Sequence, residues 1–379
     1  MKIAFITNIC SHYRVKLFEE LHQSLDIDFY FFSDGSEWYW DQRHPQLKGN
    51  FRWTILSGFS LFGVRFNPSL LKVLFDKKYD LYIKCINGKI VLPLTFIISK
   101  LRRKPFILWT GLWKHPETFV HRLTFPITRF IYRHADAIVV YGTHVRDYLI
   151  GLGVSPVRIF IAWNTVDNDL FGKAVTQSEK LELRAKLGIP EHEKVILFTG
   201  RLEPVKGLDV LIDAFACSQY QVPATLILIG EGSEKQRLID LAKKKSVNKI
   251  YFLNYIDNHM LYRYYALADV FVLPSITTPR VKEAWGLVIN EAMNQGCPVI
   301  ATNAVGAAVG GLLVDEITGY IIDENNPSQL SNAILFLLKD LKLSRKIRNY
   351  NITEIKKWTY HRMASGFIAA IHSCSTGKK

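Results

Sequence analysis

Short apolar runs alternate with longer amphipathic stretches along this chain, and the alternation happens twice. In the first half KIAFIT, IDFYFF, LYIKCI, PFILWT and AIVVYG are each apolar enough to be buried strands of a parallel sheet. Helical patterns lie between them, such as Tyr13 to Leu25. The second half repeats the rhythm with VILFTG, ATLILIG, IYFLNY, VFVLPS and PVIATN, each followed by a helical segment. Strand–helix alternation in both halves predicts an α/β protein of two doubly wound domains. Ligands of such sheets bind beyond the carboxyl ends of the strands. Two facing domains of this kind therefore predict a site in the cleft between them.

The polar stretch from Asn164 to Val175 breaks the rhythm and reads as the connection. The expected division is an N-terminal domain over 1–168, a C-terminal domain over 169–357 and a terminal segment over 358–379. In that last segment Met363, Phe367, Ile368 and Ile371 recur at helical spacing. Pro126 is expected to interrupt a helical stretch in the first half.

The most informative local pattern is EAWGLVINE, in which Glu283 and Glu291 stand just before the apolar run that starts at Cys297. With Leu287 to Asn294 helical, Glu291 sits on its first turns and Glu283 in the loop that enters it. A helix start offers free N–H groups and partial positive charge, which suit a phosphate. Ionised carboxylates only accept hydrogen bonds, which suits hydroxyls. Phosphate in the middle with hydroxyls at both ends describes a nucleotide-sugar. A second pattern, FTGRLEPVKGLDVLIDAF, puts Arg201 and Lys206 on a turn after a strand. Two cations there suit a diphosphate, the arginine as a bidentate donor and the lysine as a point charge. Taken alone, the same turn reads equally well as a surface loop with two solvated bases.

Weaker signals follow three other strands. Gly230-Glu231-Gly232 allows a ligand close to the backbone, although such turns are common. Tyr255-Ile256 can offer main-chain groups to a base edge, or be an ordinary strand end. His115, in TGLWKH, is placed for proton handling or for polarising a leaving phosphate, and a surface histidine fits as well. Arg14, in the loop after the first strand, is expected to meet an anionic group. No Gly-x-Gly-x-x-Gly follows the first strand, which disfavours a dehydrogenase.

Composition narrows the classes. A chain of 379 residues with 49% hydrophobic content has room for two full cores. No apolar run is long enough to span a bilayer. The N-terminus is interrupted too soon by His12 and Arg14 to be a secretory signal, so a cytoplasmic protein is expected. Five scattered cysteines without a Cys-x-x-Cys pair argue against a zinc site and a disulfide framework. The net charge of +14 is uneven: residues 1–165 hold 22 Lys and Arg against 12 Asp and Glu, the rest 26 against 22. A basic first half suggests an anionic partner. No RNA- or DNA-binding motif is present, so nucleic acid is not the expected one. Lys100, Arg102, Arg103 and Lys104, with the stripe Arg122, Arg129 and Arg133, suggest peripheral docking on an anionic membrane surface. Leu123, Ile127, Phe130 and Ile131 lie roughly opposite that stripe. A helix packing this apolar face on its own sheet competes with the docking reading.

"FTGRLEPVKGLDVLIDAF", "EAWGLVINEAMNQGCPVIATNAVG" and "YYALADVFVLPS" together resemble the nucleotide-binding half of the family-4 retaining glycosyltransferases, also called group 1. The resemblance runs from about Val195 to Ile322. It implies the GT-B fold, two facing Rossmann-like domains, with a terminal helix in "WTYHRMASGFIAAI" that crosses back onto the first. By it, Arg201 and Lys206 grip the donor diphosphate, and Glu283 holds hydroxyls of the transferred sugar. Glu291 binds the ribose, and Gly286, Leu287 and Val288 form the helix start that meets the distal phosphate. A metal is not normally needed in this fold. The glycine-rich loop of many relatives is replaced after the first strand by Asn8-Ile9-Cys10-Ser11-His12, and the histidine of relatives would fall near Gly111, four residues before His115.

The expected activity is transfer of a sugar from a UDP- or GDP-sugar to a hydroxyl of a glycan or lipid-linked acceptor. A nucleotide-sugar epimerase or a phosphorylase of similar fold is the alternative within enzymes. A basic nucleic-acid-binding protein is the alternative outside them.

Overall fold

The computed structural model describes residues 1–33, 49–61 and 64–376. It separates the chain into two compact units, Met1–Trp113 with Glu117–Asn164 and Tyr360–Lys379, and Lys114–Pro116 with Thr165–Thr359.

The first unit is built on a seven-stranded sheet. Its strands are β1 (Ile3–Thr7), β2 (Ile27–Phe31), β3 (Trp53–Ile55), β6 (Leu81–Cys85), β7 (Phe106–Thr110), β8 (Ala137–Val140) and β9 (Ile159–Ile161). A separate antiparallel pair, β4 (Phe59–Leu61) and β5 (Val64–Phe66), lies between β3 and β6 in sequence. The strand order is β3-β2-β1-β6-β7-β8-β9, all parallel. Parallel strands covered on both faces need continuous apolar sequence, and every residue of β1, β6, β7 and β8 is buried. The ring of Phe5 meets those of Phe18, Phe29, Trp109 and Phe367 at 5.3–5.8 Å. Phe367 belongs to the helix Tyr360–Thr376, which packs in this unit through Met363, Phe367 and Ile371.

The second unit holds a six-stranded parallel sheet, β10 (Lys194–Thr199), β11 (Ala224–Ile229), β12 (Ile250–Leu253), β13 (Val270–Leu273), β14 (Val299–Thr302) and β15 (Gly319–Ile322). Their order is β12-β11-β10-β13-β14-β15. The direction of strand addition reverses between β10 and β13, the place where doubly wound sheets leave a crevice at their carboxyl ends.

Two expectations need correction. Pro126 does not interrupt its helix, which runs unbroken over Phe119–His134. Arg122 and Pro126 are both exposed, so the carbonyl that loses its N–H partner there is open to water. The stretch 164–175 is not merely polar. Asn164, Thr165, Val166 and Phe171 are buried, and Asn168–Phe171 forms a short helix capped by the Asp167 side chain.

Candidate active site

Three loops at the carboxyl edge of the second sheet form the site. The loop after β10 starts with Gly200 and Arg201, makes a single turn over Pro204–Lys206, and enters the helix Leu208–Ser218 through Gly207. Gly207 has φ +59, and a Cβ there would stand 2.3 Å from the Pro274 carbonyl oxygen in the loop after β13. Only glycine fits so close a backbone approach. The Ile276 N–H donates to the Val205 carbonyl at 2.8 Å, which closes the junction.

This packing brings Lys206 and Glu283 together although 77 positions separate them. The lysine Nζ donates to Glu283 Oε2, which also accepts from Ser275 Oγ at 3.3 Å. Their side chains are only 12% and 18% exposed. A pair this enclosed holds each charge in place for the other, and removing one partner strands the second. The backbone around Glu283 is fixed from the other side. Its carbonyl accepts from Gly306 N–H at 3.1 Å, and the Trp285 carbonyl accepts from Ala307 N–H at 2.7 Å.

Glu283 leads through buried Trp285 and Gly286 into the helix Leu287–Asn294. Gly286 caps that helix in the left-handed region with no side-chain cap. The first turn therefore presents the backbone N–H groups of Leu287 and Val288, the anion-binding arrangement of a helix start. Glu291 follows one turn on. Its Oε2 accepts from the Tyr265 hydroxyl at 2.6 Å, and Tyr265 bonds Thr199 Oγ1 at 2.6 Å. Burial pushes the Glu291 carboxyl up to about 7, with the Tyr265 hydrogen bond opposing the shift.

The loop after β11 contributes Gly230 and Glu231. Gly230 has φ +146, and a Cβ on it would lie 1.9 Å from the Gly200 carbonyl oxygen. The Leu202 N–H donates to the Glu231 carbonyl at 2.8 Å, tying this loop to the one carrying Arg201. Gly230→Ala is expected to lose about 2–4 kcal/mol of stability from backbone strain and overpacking. A urea unfolding midpoint equal to wild type would refute that contact.

Of the residues singled out from sequence, Arg201, Lys206, Gly230, Glu231, Glu283, Gly286, Leu287, Val288 and Glu291 all lie in this second unit, at the ends of β10, β11 and β13. Tyr255 and Ile256 follow β12, the edge strand beside β11, and are partly exposed. His115 is partly exposed in the loop after β7 and groups with the second unit. Arg14 is placed differently, in the first unit and only 5% exposed. Its guanidinium bonds Asn164 Oδ1 at 2.7 Å and the Tyr141 hydroxyl at 3.1 Å, and sits over the rings of Tyr13, Trp109 and Tyr141. A cation caged this way holds its own unit together. Tyr265 and Ser275 are not among the residues singled out from sequence, although both lie within YYALADVFVLPS.

An ionised carboxylate can accept from two sugar hydroxyls, and a protonated one loses acceptor capacity. With burial pushing Glu291 up to about 7, any ligand that needs its carboxylate ionised takes up that site with release of a proton at lower pH. Affinity for a ribonucleoside diphosphate is therefore expected to fall about tenfold per pH unit below that value and to level off above it. Calorimetry across this range in buffers of different ionisation enthalpy reads both the affinity and the proton release. A flat profile contradicts the role given to Glu291.

Residues 179–354, within the second unit, match the model of Glycosyl transferases group 1. The chain is 27% identical over 263 residues to an uncharacterized glycosyltransferase, MJ1607, of Methanocaldococcus jannaschii, covering 68% of this chain and 63% of that one. It is 31% identical over 237 residues to a D-inositol 3-phosphate glycosyltransferase of Corynebacterium aurimucosum, covering 59% and 53%. The match thus spans between half and two thirds of these relatives. Among solved structures, Anabaena Alr3699/HepE in complex with UDP superposes with a TM-score of 0.79 at 22% identity, over 98% of this chain and all of that one. The fold is GT-B.

Proposed function

We propose that the protein is a retaining glycosyltransferase of the hexosyltransferase type. It takes a sugar from a UDP-sugar, or a GDP-sugar, to a hydroxyl of a glycan or lipid-linked acceptor in cell-envelope polysaccharide biosynthesis. It works in the cytoplasm at the inner face of the membrane. The observation that carries the reading is the convergence of Lys206, Glu283 and the Gly286-capped helix start at the β10–β13 reversal, with Glu291 one turn further. The UDP in the Anabaena structure favours uridine over guanosine.

In this reading the diphosphate lies against the Leu287 and Val288 N–H groups, Arg201 and Lys206. The transferred sugar reaches Glu283, and the ribose reaches Glu291. As the bond between the anomeric carbon and the phosphate oxygen breaks, negative charge grows on the diphosphate. The two cations and the helix start stabilise that charge, so no metal is required. The acceptor hydroxyl forms the new bond on the face the phosphate leaves, and its proton passes to the departing phosphate. His115 is a second proton-handling group for this step. Tyr255, Ile256, Gly230 and Glu231 border the base.

A thermal-shift panel of UDP, GDP and ADP tests the donor class. Protection by UDP above the other two is expected, and no response to any of the three removes the proposal.

A further inference from the structure

The helix Phe119–His134 turns its most hydrophobic face to solvent. Phe119, Leu123 and Ile127 are 77%, 63% and 55% exposed, and Val120 and Phe130 are exposed as well. At about 100° per residue these five fall within one stripe of roughly 100°. Only Ile131 and Tyr132 of this helix are buried, and they lie off the stripe on the side that faces the first sheet. The apolar face of the helix therefore does not serve the core. The neighbouring helix Val91–Leu101 meets it where Phe96 packs edge-on against Phe130, and adds exposed Ile97 and Leu101.

The charges beside the stripe are of one sign. Arg122, Arg129 and Arg133 are all exposed and share the flank next to it rather than the opposite face that the spacing suggests, and FVHRLTFPITRFIYRH contains no acidic residue. Arg129 and Arg133 reach the Leu152 carbonyl through Nε at 3.4 and 2.8 Å, a neutral partner that leaves their charge in place. Three of the four other bases suggested by sequence differ. Arg102 bonds the Tyr82 hydroxyl at 2.6 Å and the Asp76 carbonyl at 3.0 Å, Lys104 pairs with Asp80 at 3.0 Å, and Lys100 pairs with Asp136 at 2.7 Å. Those three help to hold the first unit and Arg103 is a single exposed base outside this helix, so the cationic cluster beside the apolar stripe is the flank of the 119–134 helix.

We propose that this helix lies in the interface of an anionic lipid bilayer, with Phe119, Val120, Leu123, Ile127 and Phe130 inserted and Arg122, Arg129 and Arg133 on the headgroups. An exposed apolar stripe beside a cationic flank is the form of an interfacial helix. A second copy of the chain is a poorer occupant. Self-pairing of the two helices sets three arginines against three, with no carboxylate on either to offset them. The inference refines the proposed function, because a lipid-linked acceptor requires its enzyme at the bilayer, and it rests on that reading for its purpose.

Vesicle flotation tests it with the full chain and no substrate. Wild type should float with vesicles containing phosphatidylglycerol and not with phosphatidylcholine alone, and added salt should weaken the binding. A double variant, Leu123→Ser with Ile127→Ser, should lose flotation. Arg122→Glu with Arg129→Glu should lower partitioning about tenfold or more. All four positions are exposed, so melting temperature and the thermal shift with UDP should stay at wild-type values. Equal binding to both vesicle types, no binding to either, or unchanged flotation of both variants overturns the proposal. So does a wild-type dimer that the Leu123→Ser, Ile127→Ser pair dissociates. Loss of the UDP response with flotation intact leaves the docking helix standing and removes the transferase reading instead.

Discussion

Arg201→Ala and Lys206→Ala are each expected to lower turnover by about 10²–10³, the usual cost of one donor to a developing oxyanion. Both side chains stand at the end of β10, and the leaving diphosphate is where the reaction creates charge. The two variants differ in stability. Arg201 is exposed, and its loss is expected to change the melting temperature less than the loss of Lys206 does. Lys206 is the partner of Glu283, so Lys206→Ala strands a mostly enclosed carboxylate and lowers the melting temperature too. Steady-state rates at saturating donor, with a melting curve for each variant, separate the chemical loss from the structural one. Near-normal turnover in both variants contradicts the assignment.

Glu283 and Glu291 should fail in different ways. Glu291→Ala weakens binding of the bare nucleotide, because the ribose loses its acceptor and the Tyr265–Thr199 pair loses its third member. Glu283→Ala leaves nucleotide affinity within a few-fold of wild type while transfer falls by about 10²-fold or more, because of the donor's parts only the sugar meets it, and it lowers the melting temperature as well by taking the partner from Lys206. The Lys206 freed in that variant remains beside the phosphate and can compensate there. Calorimetry with UDP and turnover with the UDP-sugar give the two readouts. The reverse order, with Glu283→Ala losing the nucleotide and Glu291→Ala keeping it, refutes the division of labour.

Much of the fold was legible because parallel strands buried on both faces must be apolar throughout. All ten apolar runs read as strands are strands. The strands that escaped notice lack that signature. β3 lies at a sheet edge with all three residues exposed. β9 has three residues. β15 opens on Gly319, whose φ of +155 and closeness to Val299 leave room for no side chain. The Leu287–Asn294 helix was legible from EAWGLVINE because Glu283, Gly286 and Glu291 are close in sequence. The Lys206–Glu283 contact was not, since it depends on β10 and β13 being neighbours in the sheet. The arginine at position 14 reads as a loop base available to a ligand. Its cage is assembled from Trp109, Tyr141, Asn164 and Met363, none of them near it in the chain. The 119–134 helix shows the limit of periodicity most plainly. Spacing reveals an apolar face, but only the packed structure shows that the core does not use it.

The most direct test of the site is a structure of the protein with UDP. The account predicts phosphate oxygens within hydrogen-bond distance of Arg201, Lys206 and the Leu287 and Val288 N–H groups, and ribose hydroxyls on the Glu291 carboxylate. UDP bound away from the β10–β13 reversal, or held there with its ribose turned from Glu291, contradicts it.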